Sequence, residues 1–325
     1  AYARATAALL DAHPGAVVVA QELLLGAMIG AEAKGARLAL LTANLWPYPT
    51  LPGVPPFGAG FEPAEDDFGR MRDEGVRHVT RLLYDQRLAD LNAVREGFGL
   101  PPLESVLDQP LRADRVLLGV SPAFDFAPDP VPAPFAYVGP QFADPAWVQA
   151  WDDPFEPGDA RPLVVVSFST FYQGHDEPVR RAAKALAGLD VRGLVLLGPS
   201  LSPADVPSPA PNVKVVQSAP FAEVLTRAAL VITHAGHASA VRPLLEGVPV
   251  LCLPLGRDQP DNAARVLARG AGLALSPDAS VEQIRASAAQ ILGDSRFSEN
   301  AGRLGRAVRE SLDATLAPRL LEALR

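Results

Sequence analysis

The sequence holds one cysteine in 325 residues, Cys252, so no disulfide can form within the chain. That residue lies in an apolar strand pattern, where a thiol is a buried packing group rather than a nucleophile. A chain so poor in cysteine suits a reducing cytoplasm. No apolar run approaches the roughly 18 residues that would span a membrane. The first residues lack the basic start and apolar core of a secretion signal, reading instead as an amphipathic helix over residues 1–12. Basic charge is short as well: 29 Lys and Arg against 37 Asp and Glu leave a formal charge of −8. The five histidines do not cluster, so nothing points to nucleic acid or to a metal. There is no internal repeat, and no heptad run long enough for a coiled coil. What remains is 48% hydrophobic residues, enough for two ordinary cores.

Both halves alternate strand and helix. The first half has strands at residues 15–20, 37–41 and 113–120, a helix over 22–34, and a long helical stretch over 66–98 in which His78 is a surface residue. Between them, residues 42–63 form a loop rich in Pro and Gly that carries Trp46, Tyr48 and Phe57. Its apolar side chains argue against disorder, and its length against a simple connection. Residues 121–162 are dense in proline and read as a semi-rigid linker, with a domain boundary near 145. The second half opens on Pro162-Leu-Val-Val-Val-Ser-Phe-Ser169, a continuous buried-strand pattern. Strands at 193–197 and 213–217 follow. This alternation predicts an α/β fold with parallel sheets. Ser169 and Thr170, in the turn after the first of these strands, face the carboxyl end of the sheet; His175, further along, reads as solvent-exposed.

One stretch organises the second half. The run Val231-Ile-Thr-His-Ala-Gly-His-Ala-Ser239 reads as a strand, a tight turn and a helix start near His237. Small residues Ala235 and Gly236 admit a ligand close to the backbone, and the helix start offers unpaired N–H groups and the positive end of its dipole. That is an anion site, with His234 and Ser239 as side-chain donors. Pro243 should delay or bend the helix. After the next strand, Asp258 and Gln259 offer donors and acceptors suited to sugar hydroxyls at the end of a parallel strand.

The stretch from His234 to Gln259 resembles the donor-binding box of inverting GT-B glycosyltransferases, the superfamily that includes plant UDP-glycosyltransferases and bacterial macrolide and antibiotic glycosyltransferases. The resemblance implies two Rossmann-like domains with a cleft between them: residues 1–144 for the acceptor and 145–325 for the nucleotide sugar, with a C-terminal helix from about 306 crossing back to the first. Carried over by position, diphosphate binding falls on His234, Gly236 and Ser239, sugar binding on Asp258 and Gln259, and the acceptor pocket on the loop of Trp46, Tyr48 and Phe57. Two positions depart from the pattern. Arg242 stands where a ribose-binding glutamate is usual, and Ser218 where an aromatic often stacks on the base. The resemblance also implies a histidine base on an opening strand and glycine-rich loop, which is expected upstream of Ala1. Gln21 occupies the place of that histidine's carboxylate partner. Glu22 either substitutes for it or is a first-turn helix glutamate favoured by the dipole.

The resemblance implies a metal-independent enzyme that moves a sugar from a dTDP- or UDP-sugar to a small lipophilic acceptor such as a secondary metabolite, with inversion and no cofactor. Two alternatives stand beside it: a catalytically silent relative that binds a nucleotide sugar or assists a partner enzyme, and a nucleotide-sugar epimerase. Neither nucleic acid nor a membrane span enters any of the three, and the oligomeric state is open.

Overall fold

The computed structural model describes residues 1–144, 148 and 152–325. They form two compact units. The first comprises Ala1–Phe57, Pro63–Gln141 and Ser311–Arg325; the second comprises Gly58–Glu62 and Phe142–Glu310. The boundary expected at residue 145 lies outside the described residues.

In the first unit, α1 (Tyr2–Ala12), β1 (Val18–Gln21), α2 (Leu25–Ala33) and β2 (Leu38–Thr42) make a βα layer against which α3 (Asp67–Asp85) and α4 (Leu88–Glu96) follow. With β3 (Arg115–Leu118) and β4 (Phe135–Tyr137) the strands form a parallel sheet in the order β1-β2-β3-β4. The strand β4 falls inside the stretch read as linker. Three residues between prolines carry no period, and only pairing with β3 makes them a strand. The helix expected over 66–98 is broken at Gln86 and Arg87. Asp66 caps its start by accepting from the Gly69 N–H at 2.7 Å. Asp85 ends α3 with its carboxylate on the Val106 N–H and the Ser105 hydroxyl, a tertiary anchor that local propensity does not report. Along these helices Leu91 is buried while Val79, Leu82 and Leu83 are exposed.

An ion pair holds the same unit together. Arg95 is fully buried and grips the Glu32 carboxylate through two bonds at 2.7 and 3.0 Å, with Gln109 and the Pro101 carbonyl as further partners. Burial pushes the Glu32 carboxyl up, but the Arg95 and Gln109 hydrogen bonds outweigh it and hold it below the usual range. The last residues belong to this unit as well: the Ser311 and Ser121 hydroxyls lie 2.6 Å apart, ahead of a short helix at Leu316–Glu322.

The second unit runs β5 (Leu163–Ser167), α5 (Asp176–Ala187), β6 (Arg192–Leu196), β7 (Val213–Val216), α6 (Phe221–Leu225), β8 (Ala228–Thr233), α7 (His237–Leu245), β9 (Val250–Cys252), α8 (Gln259–Ala268), β10 (Gly272–Ala274), α9 (Val281–Gly293) and α10 (Ser295–Glu310). Four of the five β5 residues are buried, as a valine run covered by helices on both faces requires. Helix starts are marked chemically. Asp176 and Glu177 open α5, and Ser280 with Gln283 forms a reciprocal capping box on α9. All six strands are parallel, in the order β10-β9-β8-β5-β6-β7. Cys252 is fully buried in β9, and burial pushes its thiol up to about 12. No helix among the described residues is long and apolar enough to cross a membrane.

Candidate functional site: the carboxyl ends of β5 and β8

The sheet order of the second unit creates the site. From β5 the chain winds outward through β6 to β7; it then returns and winds the other way from β8 through β9 to β10. Loops leaving β5 and β8 therefore diverge, and a doubly wound sheet opens its crevice at that switch point. The sequence-flagged residues of this unit fall on the loops and helix starts beside it.

The β8–α7 turn is tight because Ala235 takes a left-handed conformation (φ 65°), which alanine adopts at a cost tolerated mainly at constrained sites. Helix α7 begins at His237, with no delay from Pro243, which lies in its last turn. Gly236 is its N-cap residue. A Cβ there would stand 2.7 Å from the His234 Nε2, so the imidazole lies directly over the helix start and only glycine leaves room for it.

The protons around His234 can be assigned from its partners. The Ser239 hydroxyl donates to the Gly236 carbonyl at 2.9 Å, so the Thr233 hydroxyl must donate to Ser239 at 3.0 Å. Thr233 then accepts from the His234 Nδ1 at 3.2 Å, which leaves Nε2 with its lone pair. Burial, reinforced by His175, pulls His234 down to about 4, so the ring is neutral near pH 7. Phe168 is sandwiched by the two imidazoles, stacked on His234 at 5.8 Å and on His175 at 6.3 Å.

His175 corrects the reading that it is exposed: it is fully buried, and its Nδ1 accepts the Gln173 N–H at 3.2 Å. The β5–α5 loop folds back on itself, bringing the histidine under Phe168. This loop is tied to the start of α8 through Gln173. Its amide donates to the Ser169 hydroxyl at 2.6 Å and accepts from the Gln259 amide at 2.9 Å. Gln259 in turn accepts the Leu255 and Gly256 N–H groups, and is only 2% exposed. Its side chain is thus committed to shaping the loop, with one amide hydrogen left over. Asp258 accepts from the Asn262 amide at 2.8 Å and from the His237 backbone N–H. Burial raises its carboxyl, and one of the α7 N–H groups expected to be unpaired is in its hands. Those of Ala238 and Ser239 lack an intrahelical carbonyl. Asp261, one turn into α8, holds the Gly58 and Gly60 N–H groups at 2.5 and 2.8 Å, so the tip of the Pro- and Gly-rich loop belongs to this unit.

Beside the turn lies a pocket of about 220 Å³. Thr170, Ser218, Ser239 and Arg242 line it together with Phe168 and Phe221. Sequence reasoning had no means of finding Gln173, His175 or Phe221: each acquires its place through contacts with residues tens of positions away.

In the first unit, Gln21 ends β1 and Glu22 lies in the turn ahead of α2, not in the first turn of that helix. The Gln21 amide donates to the Glu22 carboxylate at 3.2 Å, and burial raises the Glu22 carboxyl. Trp46 and Tyr48 are 6% and 3% exposed, packed edge to face at 5.0 Å, with Phe135 against the first and Tyr84 against the second. The Trp46 indole N–H donates to Thr50 and the Tyr48 hydroxyl to the Glu22 carbonyl, each at 2.8 Å. These two are core residues of their loop; Phe57 is half-buried.

Comparison with known proteins follows the same lines. Residues 184–319 match the family described as erythromycin biosynthesis protein CIII-like, C-terminal domain. The 4'-demethylrebeccamycin synthase of Lentzea aerocolonigenes is 28% identical over 311 residues, 91% of this chain and 71% of that protein. The demethyllactenocin mycarosyltransferase of Streptomyces fradiae is 27% identical over 189 residues, 58% of this chain and 40% of that protein. Among solved structures, the calicheamicin glycosyltransferase CalG4 superposes with a TM-score of 0.76 at 22% identity, over 99% of this chain and 76% of that one.

Proposed function

We propose that the chain is a GT-B glycosyltransferase of the kind that includes the macrolide and antibiotic enzymes, and that it moves a sugar from a dTDP- or UDP-sugar to a small lipophilic secondary metabolite, with inversion, in the cytoplasm. The match of residues 184–319, the 28% identity to 4'-demethylrebeccamycin synthase and the shared fold support this reading. One observation carries this reading: at the switch point of a doubly wound sheet, a histidine stands over a glycine-capped helix start. A leaving diphosphate develops charge as the sugar departs, and a fixed helix dipole with oriented N–H groups stabilises that charge without reorganising. His234 donates to the diphosphate from Nε2 in its other neutral tautomer, the Thr233 hydroxyl then turning to donate to Nδ1. No metal is needed for this neutralisation. Asp258 takes a sugar hydroxyl, while Gln259 acts mainly by positioning the loop through Gln173. In the first unit we assign Glu22, whose carboxylate accepts from the Gln21 amide, to the proton-handling side of the reaction. The Trp46–Tyr48 cluster stiffens the loop whose Phe57 contacts the acceptor.

The test compares two variants by calorimetry, with a nucleoside diphosphate and the matching nucleotide sugar as ligands. His234→Ala should weaken both by about 1 to 3 kcal/mol, the usual effect of losing a hydrogen bond to a charged group. Asp258→Ala should spare the nucleoside diphosphate and weaken the nucleotide sugar. Unchanged affinity in the first variant removes the diphosphate from the β8–α7 turn, and equal losses in the second remove Asp258 from the sugar.

A further inference from the structure

The pocket beside the turn contains a carboxylate that the sequence did not single out. Asp144 sits on its wall and pairs with Arg242 at 2.5 Å, while its second oxygen accepts the Ala222 N–H at 3.4 Å. The Arg242 guanidinium is held from the other side, lying 5.0 Å over the Phe221 ring. Arg242 is therefore fixed by stacking and by an ion pair, and it points Asp144 into the pocket. The pair is partly shielded, with side chains 14% and 25% exposed, so a hydrogen bond made there competes weakly with bulk water. Its place along α7 matters too. Arg242 is six residues beyond Gly236, about 9 Å along the helix axis. Ser239, in the first turn of α7, lines the same pocket as the pair, so a diphosphate at the helix start has room there for its nucleoside. The rest of the wall is mostly apolar, with Phe168, Leu196, Ala219 and Phe221, a surface for a flat base and not for a second charge.

We propose that Asp144, positioned by Arg242, is the acceptor for the pentose hydroxyl edge of the donor nucleotide. Asp144 is then the specificity-determining group and Arg242 a positioning residue. This rests on the reading that a nucleoside diphosphate binds at the β8–α7 turn. A pentose with hydroxyls satisfies the carboxylate; one without them buries it against carbon and leaves it without its water.

Calorimetry on the full chain decides it, with uridine diphosphate, its 2',3'-dideoxy analogue and inorganic pyrophosphate as probes. The unaltered protein should prefer uridine diphosphate to the dideoxy analogue by about tenfold or more. Asp144→Ala should bind the two alike and bind pyrophosphate as before. Arg242→Met, which keeps bulk over Phe221 but frees Asp144, should lose most of the preference; Arg242→Lys should restore part of it. An undiminished preference in Asp144→Ala, with the thermal midpoint retained, overturns the proposal and leaves the diphosphate site standing. Should the unaltered chain bind none of the three probes, the diphosphate site and this proposal fall together.

Discussion

Replacing Gly236 with alanine tests the geometry of the turn with one methyl group. The backbone there (φ −58°, ψ 147°) accepts alanine, so the substitution adds no torsional strain and should cost the fold less than about 1 kcal/mol. The new Cβ, however, meets the His234 Nε2 at 2.7 Å and its Cε1 at 3.2 Å, whereas ordinary contact begins at 3.4 Å. The ring has to shift, and it is held by Phe168 stacked on it and by the Thr233 hydroxyl on Nδ1. It moves only by giving up one of these, and Nε2 then no longer faces the anion. Losing one hydrogen bond to a charged group is worth about 1.5 to 3 kcal/mol, so nucleoside diphosphate affinity should fall roughly 10- to 150-fold. Calorimetry measures the affinity, and thermal unfolding of the same sample measures the fold. Full affinity at an unchanged thermal midpoint would refute the account of how the turn holds its ligand. A parallel loss of fold and binding would show that the glycine serves packing alone.

Two further outcomes follow from the buried groups. Arg95→Ala leaves the Glu32 carboxylate without its main partner and should destabilise the first unit by about 3 to 5 kcal/mol in urea unfolding; a loss under about 1 kcal/mol contradicts the buried pair. Because the folded-state carboxyl of Glu32 is held below its unfolded value, the stability it contributes is present above the ordinary carboxylate range. It should disappear as pH falls through the folded value, an acid-side loss that Arg95→Ala no longer shows. Cys252, buried and pushed up to about 12, should resist iodoacetamide at pH 8 in the native protein and react once urea unfolds it; rapid native labelling would place the thiol outside β9.

The parts legible in the sequence were those decided over short range. The valine run reads as a covered parallel strand, and the small residues between Thr233 and His237 as a tight turn into a helix, so the alternation of the second unit and the β8–α7 turn were readable. The apolar setting of Cys252 also carried its burial. Tertiary structure decided the rest, because the energy of those features lies in contacts between distant positions. Gln259 meets Gln173 across 86 residues, and Asp144 meets Arg242 across 98. Neither partner's local pattern hints at the other. His175 looked like a loop residue until the loop closed over it, and Trp46 and Tyr48 looked like pocket walls until Phe135 and Tyr84 enclosed them. Even β4 exists only as a neighbour to β3. Propensity and periodicity are properties of a window, whereas burial and hydrogen-bond partnership are properties of the assembled chain.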